Sequence, residues 1–136
     1  MLFLQDVAGT NKAMSLFLDQ LSDLIADYAC YQIESGAEVI QVFESWAHQL
    51  SPKQFQDYAK PAAVKVIEKI KAKHPDIPVI YFANGGSSYL ELQKDVPCDM
   101  IAVDWSVDIS QARAILGAER PISGNLDPNI LKFGTK

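Results

Sequence analysis

The chain has 136 residues, 49% of them apolar and 21% charged, with a formal net charge of −5. That suits one globular domain with a sizeable core and is too apolar for a disordered segment. The acidic balance argues against a nucleic-acid or anionic-membrane partner, which would require a basic stripe, and the dense lysine cluster at Lys65 to Lys73 reads as a solvated helix face.

The opening MLFLQDV has no basic n-region and an acid at Asp6, so it reads as neither a signal peptide nor an Arg-rich transit peptide. Its LFL triplet is a strand remnant or the tail of another element. From Asn11 to Ser35, Met14, Phe17, Leu18, Leu21, Leu24, Ile25 and Tyr28 recur at three- and four-residue spacing, which predicts a long amphipathic helix. Thr10 or Asn11 suits its N-cap, and Gly36 the left-handed position just past its end.

Residues 38–43, EVIQVF, predict a buried strand, and ESWAHQLS after it predicts a polar loop. Ser51-x-x-Gln54 is a capping-box pattern with Pro52 at the first helical position. It opens a helix whose apolar stripe runs Phe55, Tyr58, Ala62, Val66, Ile67 and Ile70, with a kink or break expected at Pro61. The cycle then repeats. Val79 to Phe82 is a strand, Asn84-Gly85-Gly86-Ser87 a loop, and Ser88-x-x-Glu91 a second capping box. Met100 to Val103 is a strand, Asp104-Trp105-Ser106 a loop, and Asp108-x-x-Gln111 a helix start that Gly117 ends. Pro121 to Ser123 is a strand, and Asp127-Pro128 begins another helix.

About four strand-loop-helix units in one direction predict an α/β fold with a parallel sheet. The glycine-rich loop lacks both the dinucleotide and the Walker spacing. Because every strand ends in a polar or aromatic loop, a partial (β/α)8 TIM barrel with a long preceding helix is favoured over a doubly wound sheet. A closed barrel needs about 250 residues, so residues 1–136 read as one partial barrel domain, incomplete at both ends. Two sheet edges and the inner faces of Val39 to Phe43 and Val79 to Phe82 would then lack partners.

Several loop residues have chemistry to offer. Ser45, His48 and Asp104 would be a nucleophile, a base and an orienting acid only if the fold assembled them, and Ser45 is not in a G-x-S-x-G elbow. Glu44 and Asp104 are either a carboxylate pair or acceptors for loop amides. Trp46 and Trp105 either stack on a ligand or roof the barrel. Cys30 and Cys98 read as small buried hydrophobes in a reducing compartment, and with His48 and His74 they lack zinc-site spacing.

Taken together, FESWAHQLSP at 43–52, VDWSVD at 103–108 and SGNLDP at 123–128 resemble the second half of uroporphyrinogen decarboxylase, over residues 12–133. The resemblance implies a (β/α)8 barrel, homodimeric when complete. It would remove the carboxyl groups of the four acetate side chains of uroporphyrinogen III, giving coproporphyrinogen III in haem and chlorophyll synthesis, with no metal or cofactor. By the same resemblance the serine of the F-[DE]-S-W motif, Ser45, hydrogen-bonds substrate, and Phe43 lines the apolar wall. Glu44 replaces a frequent Asp and His48 a frequent Gly. The family's N-terminal arginines, its pyrrole-binding aspartate and substrate tyrosine, and its C-terminal histidine have no counterpart in this chain. No catalytic residue is therefore assigned here, and the chain alone is expected to be inactive. Two other readings stay open: a non-enzymatic half-barrel module, and a related barrel methyltransferase, which would call for zinc held by His and Cys. A cytoplasmic location is expected, or a plastid one if a transit peptide belongs to the missing half.

Overall fold

A computed structural model describes residues 10–134. The opening LFL triplet lies outside these, as do the side chains of Thr10 and Asn11, the expected first cap. Helix α1 covers Thr10–Glu34, and Gly36 follows it at φ +108°, a conformation that favours a residue without Cβ. Strand β1 is Ile40–Glu44, followed by a single 3-10 turn at Ala47–Gln49.

The next helix begins at α2, Pro52–Gln54. Ser51 accepts from the Gln54 N–H while the Gln54 side chain accepts from the Ser51 N–H, so the expected capping box is formed. Instead of breaking at Pro61, the helix widens one turn earlier into a π segment, Phe55–Ala59, and continues as α3, Lys60–Lys73. The Lys60 N–H reaches back to the Phe55 carbonyl, and this wider turn relieves the crowding that a proline ring imposes on the preceding turn.

Strand β2, Val79–Ala83, leads through a 3-10 turn at Gly86–Tyr89 into the short helix α4, Leu90–Gln93. Tyr89 stands at the N-cap of α4 with no capping side-chain bond, so the helix starts one residue beyond the expected cap at Ser88, whose side chain lies outside the described residues. Strand β3 is Met100–Ala102, and α5, Ile109–Leu116, is capped by Asp108, which accepts from the Gln111 N–H at 3.0 Å. Strand β4 is Ile122–Ser123, and α6, Pro128–Phe133, is capped by Asp127, which accepts from the Asn129 N–H.

The strands form a four-stranded sheet in sequence order, every pair parallel. The register aligns Ile40 with Val79 and Val42 with Tyr81, and Tyr81 in turn with Ile101. These residues share one face, where Val79, Tyr81 and Ile101 are fully buried in one core with Phe55, Val66, Ile67 and Ile70 of the following helix. The opposite face carries Gln41, Phe43, Ile80, Phe82, Met100 and Ala102, all exposed or half-buried. A parallel sheet normally has both faces covered. One bare, partly aromatic face is what an open arc of a barrel presents, because the closed sheet fills its own interior.

Helix α1 departs from its expected orientation. Its buried face is made of small residues, Ser22, Ala26, Ala29 and Cys30, which lie close against α3. The large residues of the predicted stripe are mostly exposed: Phe17 by 59%, Leu24 by 67% and Tyr28 by 62%. Periodicity locates an apolar face without saying what that face meets, and a tight helix-helix seam selects small side chains. The lysine cluster is also more than a solvated face. Lys65 bonds Asp19 and Asp23, Lys69 bonds Asp23 at 2.7 Å and Lys73 bonds Asp27 at 3.3 Å, an ion-pair ladder between α3 and α1. The hydrogen bonds of Lys69 and Lys65 hold the Asp23 carboxyl below its usual pKa. Such exposed pairs fix the register of two helices more than they stabilise them.

Candidate functional site

The carboxyl ends of the strands gather the loops that the sequence singled out. At the end of β1, Ala47 is fully buried and anchors the Ser45–Leu50 loop. Asn84, at the end of β2, grips that loop three times. Its N–H donates to the Glu44 carbonyl at 3.1 Å, its Nδ2 to the Ser45 carbonyl at 3.1 Å, and its carbonyl accepts from the His48 N–H at 3.1 Å. Gly85 adopts φ +67°, and a Cβ there would lie 2.5 Å from the His48 Cβ, so only glycine permits this approach. Farther on, the Tyr89 hydroxyl donates to the Leu50 carbonyl, and the Tyr89 ring stacks on Phe55 at 4.8 Å. The β1 loop is therefore held by the β2 loop and the turn after it.

On this scaffold Phe43 projects from the open face, 62% exposed, in an edge-to-face contact with Phe82 at 5.9 Å. Ser45 is exposed, and its side chain makes no hydrogen bond among the described residues. Trp46 is exposed as well, its ring 5.7 Å from that of His48. Trp105 is exposed at the end of β3.

Two sequence-level constellations are not assembled. Among the described residues no hydrogen bond joins Ser45, His48 and Asp104. Asp104 is buried, and its Oδ1 accepts from the Ser106 N–H at 2.8 Å and from the Ser106 hydroxyl, the loop-amide role. Its Oδ2 is buried without a partner among the described residues. Glu44 falls on the opposite face from Phe43, in register with Ala83. Burial raises its carboxyl pKa, against the pull of the Trp46 backbone N–H. It belongs to the helix side of the sheet, so it does not pair with Asp104 over the open face.

The two arginines are committed to structure. Arg113 donates to the carbonyls of Gly117, Ala118 and Arg120, and Arg120 donates to the Val96 carbonyl and to the Cys98 sulfur at 2.9 Å. Burial pushes the Cys98 thiol pKa up in spite of that cation. Among the described residues no three His, Cys, Asp or Glu side chains come together to hold a metal. Sequence reasoning missed Asn84, Gly85 and Tyr89 as the residues that shape the loop; the Asn-Gly pair announces a tight turn but not what the turn would grip.

The uroporphyrinogen decarboxylase (URO-D) family model matches residues 1–136. The chain belongs to the uroporphyrinogen decarboxylase family. It is 47% identical over 120 residues to the uroporphyrinogen decarboxylase of Picosynechococcus sp., a match covering 88% of this chain and 34% of that protein. Similar relatives from Nostoc punctiforme, 46% identical over 88% of the chain, and Microcystis aeruginosa, 44% identical over 88%, bear the same name. The chain spans about a third of the length of the curated relatives it matches. The four parallel strands with their helices agree with the partial TIM barrel expected of a uroporphyrinogen decarboxylase. The three motifs, FESWAHQLSP, VDWSVD and SGNLDP, stand at the carboxyl ends of β1, β3 and β4, where barrels build their sites.

Proposed function

We propose that residues 1–136 form one part of a uroporphyrinogen decarboxylase barrel and contribute one wall of its tetrapyrrole cleft. The observation that carries this reading is the pairing of an exposed aromatic surface, Phe43 against Phe82, with the free hydroxyl-bearing Ser45 on a loop clamped by Asn84. A porphyrinogen is a flat-ringed, polycarboxylate molecule. It calls for an apolar wall against its pyrroles and fixed hydrogen-bond donors toward its carboxylates. Phe43 supplies the first and Ser45 the second.

The reaction asks little of a cofactor. Protonating a pyrrole carbon turns the ring into an electron sink, so the C–C bond to the acetate carboxyl breaks, carbon dioxide leaves, and the bonding pair enters the ring. A proton added to the exocyclic carbon makes the methyl group, and loss of the proton first placed on the ring carbon restores the pyrrole. This chain's role is orientation: Phe43 sets the plane of the ring and Ser45 the position of a side-chain carboxylate. The cations that an octacarboxylate needs are not supplied here, because Arg113 and Arg120 are bonded to backbone carbonyls away from the strand ends. Those cations, the proton donors and the homodimer contacts would come from the rest of the barrel. No helix among the described residues is long and apolar enough to cross a membrane.

The test is to incubate the purified chain with uroporphyrinogen III under reducing, anaerobic conditions and follow the porphyrins by chromatography. The expected result is no decarboxylation, with binding of the substrate lost in Phe43→Ala. Coproporphyrinogen appearing at an enzyme-like rate would overturn the division of labour.

A further inference from the structure

We infer that Ala102 and Ser123 determine substrate specificity on the open face: Ala102 leaves room for one carboxylate-bearing side chain of the tetrapyrrole, and the Ser123 hydroxyl donates to that carboxylate. This rests on the reading of the open face as a wall of the tetrapyrrole cleft, and adds to that wall two residues that the reading does not use.

The register of the sheet places them. At its carboxyl end Phe43 pairs with Phe82, Phe82 with Ala102, and Ala102 with Ser123. Paired residues of a parallel ladder point to the same face, so these four side chains form one row across the open side. Ile122 obeys the same alternation: it pairs with Ile101 and packs against the core on the covered side. The row beneath is Gln41, Ile80 and Met100, large throughout. The upper row begins with two rings and then drops to a methyl group. A step therefore opens above Met100, between the Phe82 ring and the Ser123 hydroxyl.

Ser123 is held firmly although β4 has only two residues. Its carbonyl accepts from the Val103 N–H at 2.9 Å. Gly124 follows at φ +106°, and a Cβ there would run into the Val103 carbonyl oxygen, so the turn after Ser123 requires glycine. The Asn125 Nδ2 donates to the Val107 carbonyl and ties the β4 loop to the β3 loop. These contacts use the Ser123 backbone and its neighbours. The half-buried Ser123 hydroxyl itself makes no hydrogen bond among the described residues.

A free donor on a fixed backbone, beside a step too small for a ring, suits an anion carried on a short arm. Strands β1 and β4 lie three strand spacings apart, about 14 Å. Ser45 and Ser123 thus stand at opposite ends of the aromatic wall. A substrate with carboxylates around its whole periphery meets both hydroxyls, whereas one with a single carboxylate meets only one.

The experiment grafts this chain into the Picosynechococcus enzyme in place of its matched stretch, and measures kcat and KM for uroporphyrinogen III, with Tm, in single variants. Ser123→Ala should raise KM about tenfold with kcat within about twofold, the signature of a lost hydrogen bond to a charged group that binds ground and transition states alike. Ser123→Thr keeps the hydroxyl and should recover most of the loss. Ala102→Leu fills the step and should raise KM at least as much. An unchanged KM in Ser123→Ala would overturn the inference. So would a lower Tm with unchanged KM in Ala102→Leu, which would mean that side chains from the rest of the barrel occupy the step. Phe43→Ala separates the two readings. If it impairs the graft while Ser123→Ala does not, the cleft reading stands and this inference fails; if Phe43→Ala has no effect, the cleft reading fails and takes the inference with it.

Discussion

Replacing Tyr81 by Phe in the isolated chain should stabilise it, although Tyr81 is fully buried. The ring packs in the core beside Val79 and Ile101 and is kept by the substitution; what is removed is a hydroxyl with no partner among the described residues. A buried hydroxyl without a hydrogen bond costs about 1–3 kcal/mol. Loss of one oxygen gives back a little in packing, so a net gain of about 1 kcal/mol is expected, or roughly 3–5 °C in Tm for a chain of this size. Urea unfolding should show a higher midpoint at unchanged slope. A second signature lies in alkali. Burial first, and the Glu44 charge second, push the Tyr81 hydroxyl well above its usual pKa. A group whose folded pKa is raised contributes stability below its unfolded value, about 10, that is lost as pH rises past it. The wild type should therefore lose stability above about pH 10 faster than the variant. A variant less stable at pH 7, or one with the same alkaline slope, would refute the claim that this hydroxyl is unsatisfied.

The clamp on the β1 loop is tested by Gly85→Ala. The left-handed backbone costs about 1 kcal/mol and the overlap with His48 roughly another 1–3 kcal/mol, so Tm should fall and the exposed Trp46 should change its fluorescence; an unchanged melt would contradict the geometry. Asp99 accepts from the Val79 N–H at 2.7 Å and pairs with Lys71 at 2.6 Å. Burial opposes these bonds, yet together they hold its carboxyl below the usual pKa. A depressed carboxylate contributes stability above its unfolded pKa that is lost as pH falls below about 4. Asp99→Asn should thus lower stability at neutral pH and flatten the acid limb of the stability curve, read by circular dichroism across pH. Asp108→Ala removes the cap of α5 and should cost about 1 kcal/mol by urea unfolding, whereas the rescue Asp108→Ser should recover most of it.

Much of the architecture was legible because its signals are local. Short apolar runs, capping residues and glycines past helix ends mark βα units at fixed spacing, and Ser51, Asp108 and Asp127 cap helices as their patterns predict. What was not legible depends on partners distant in sequence. The stripe of α1 looked like a core face, yet Ser22, Ala26, Ala29 and Cys30 make the seam with α3. The lysines at 65, 69 and 73 looked solvated because their acids on α1 lie 46 residues away. Glu44 and Ser45 are adjacent in sequence, but strand alternation sends Glu44 to the helix side, a distinction that a motif does not carry. The clamp by Asn84 is built mainly of backbone groups, which leave little trace in side-chain pattern.

The central claim is that Ser45, on the clamped loop, positions substrate for a barrel completed by other residues. The most direct measurement is the decarboxylation rate of a graft, the Picosynechococcus enzyme carrying this chain in place of its matched stretch, with and without Ser45→Ala. The account predicts an active graft whose kcat/KM falls about 10- to 100-fold in the variant, the equivalent of a lost hydrogen bond to a charged group, at unchanged Tm. An active graft indifferent to Ser45→Ala would contradict it.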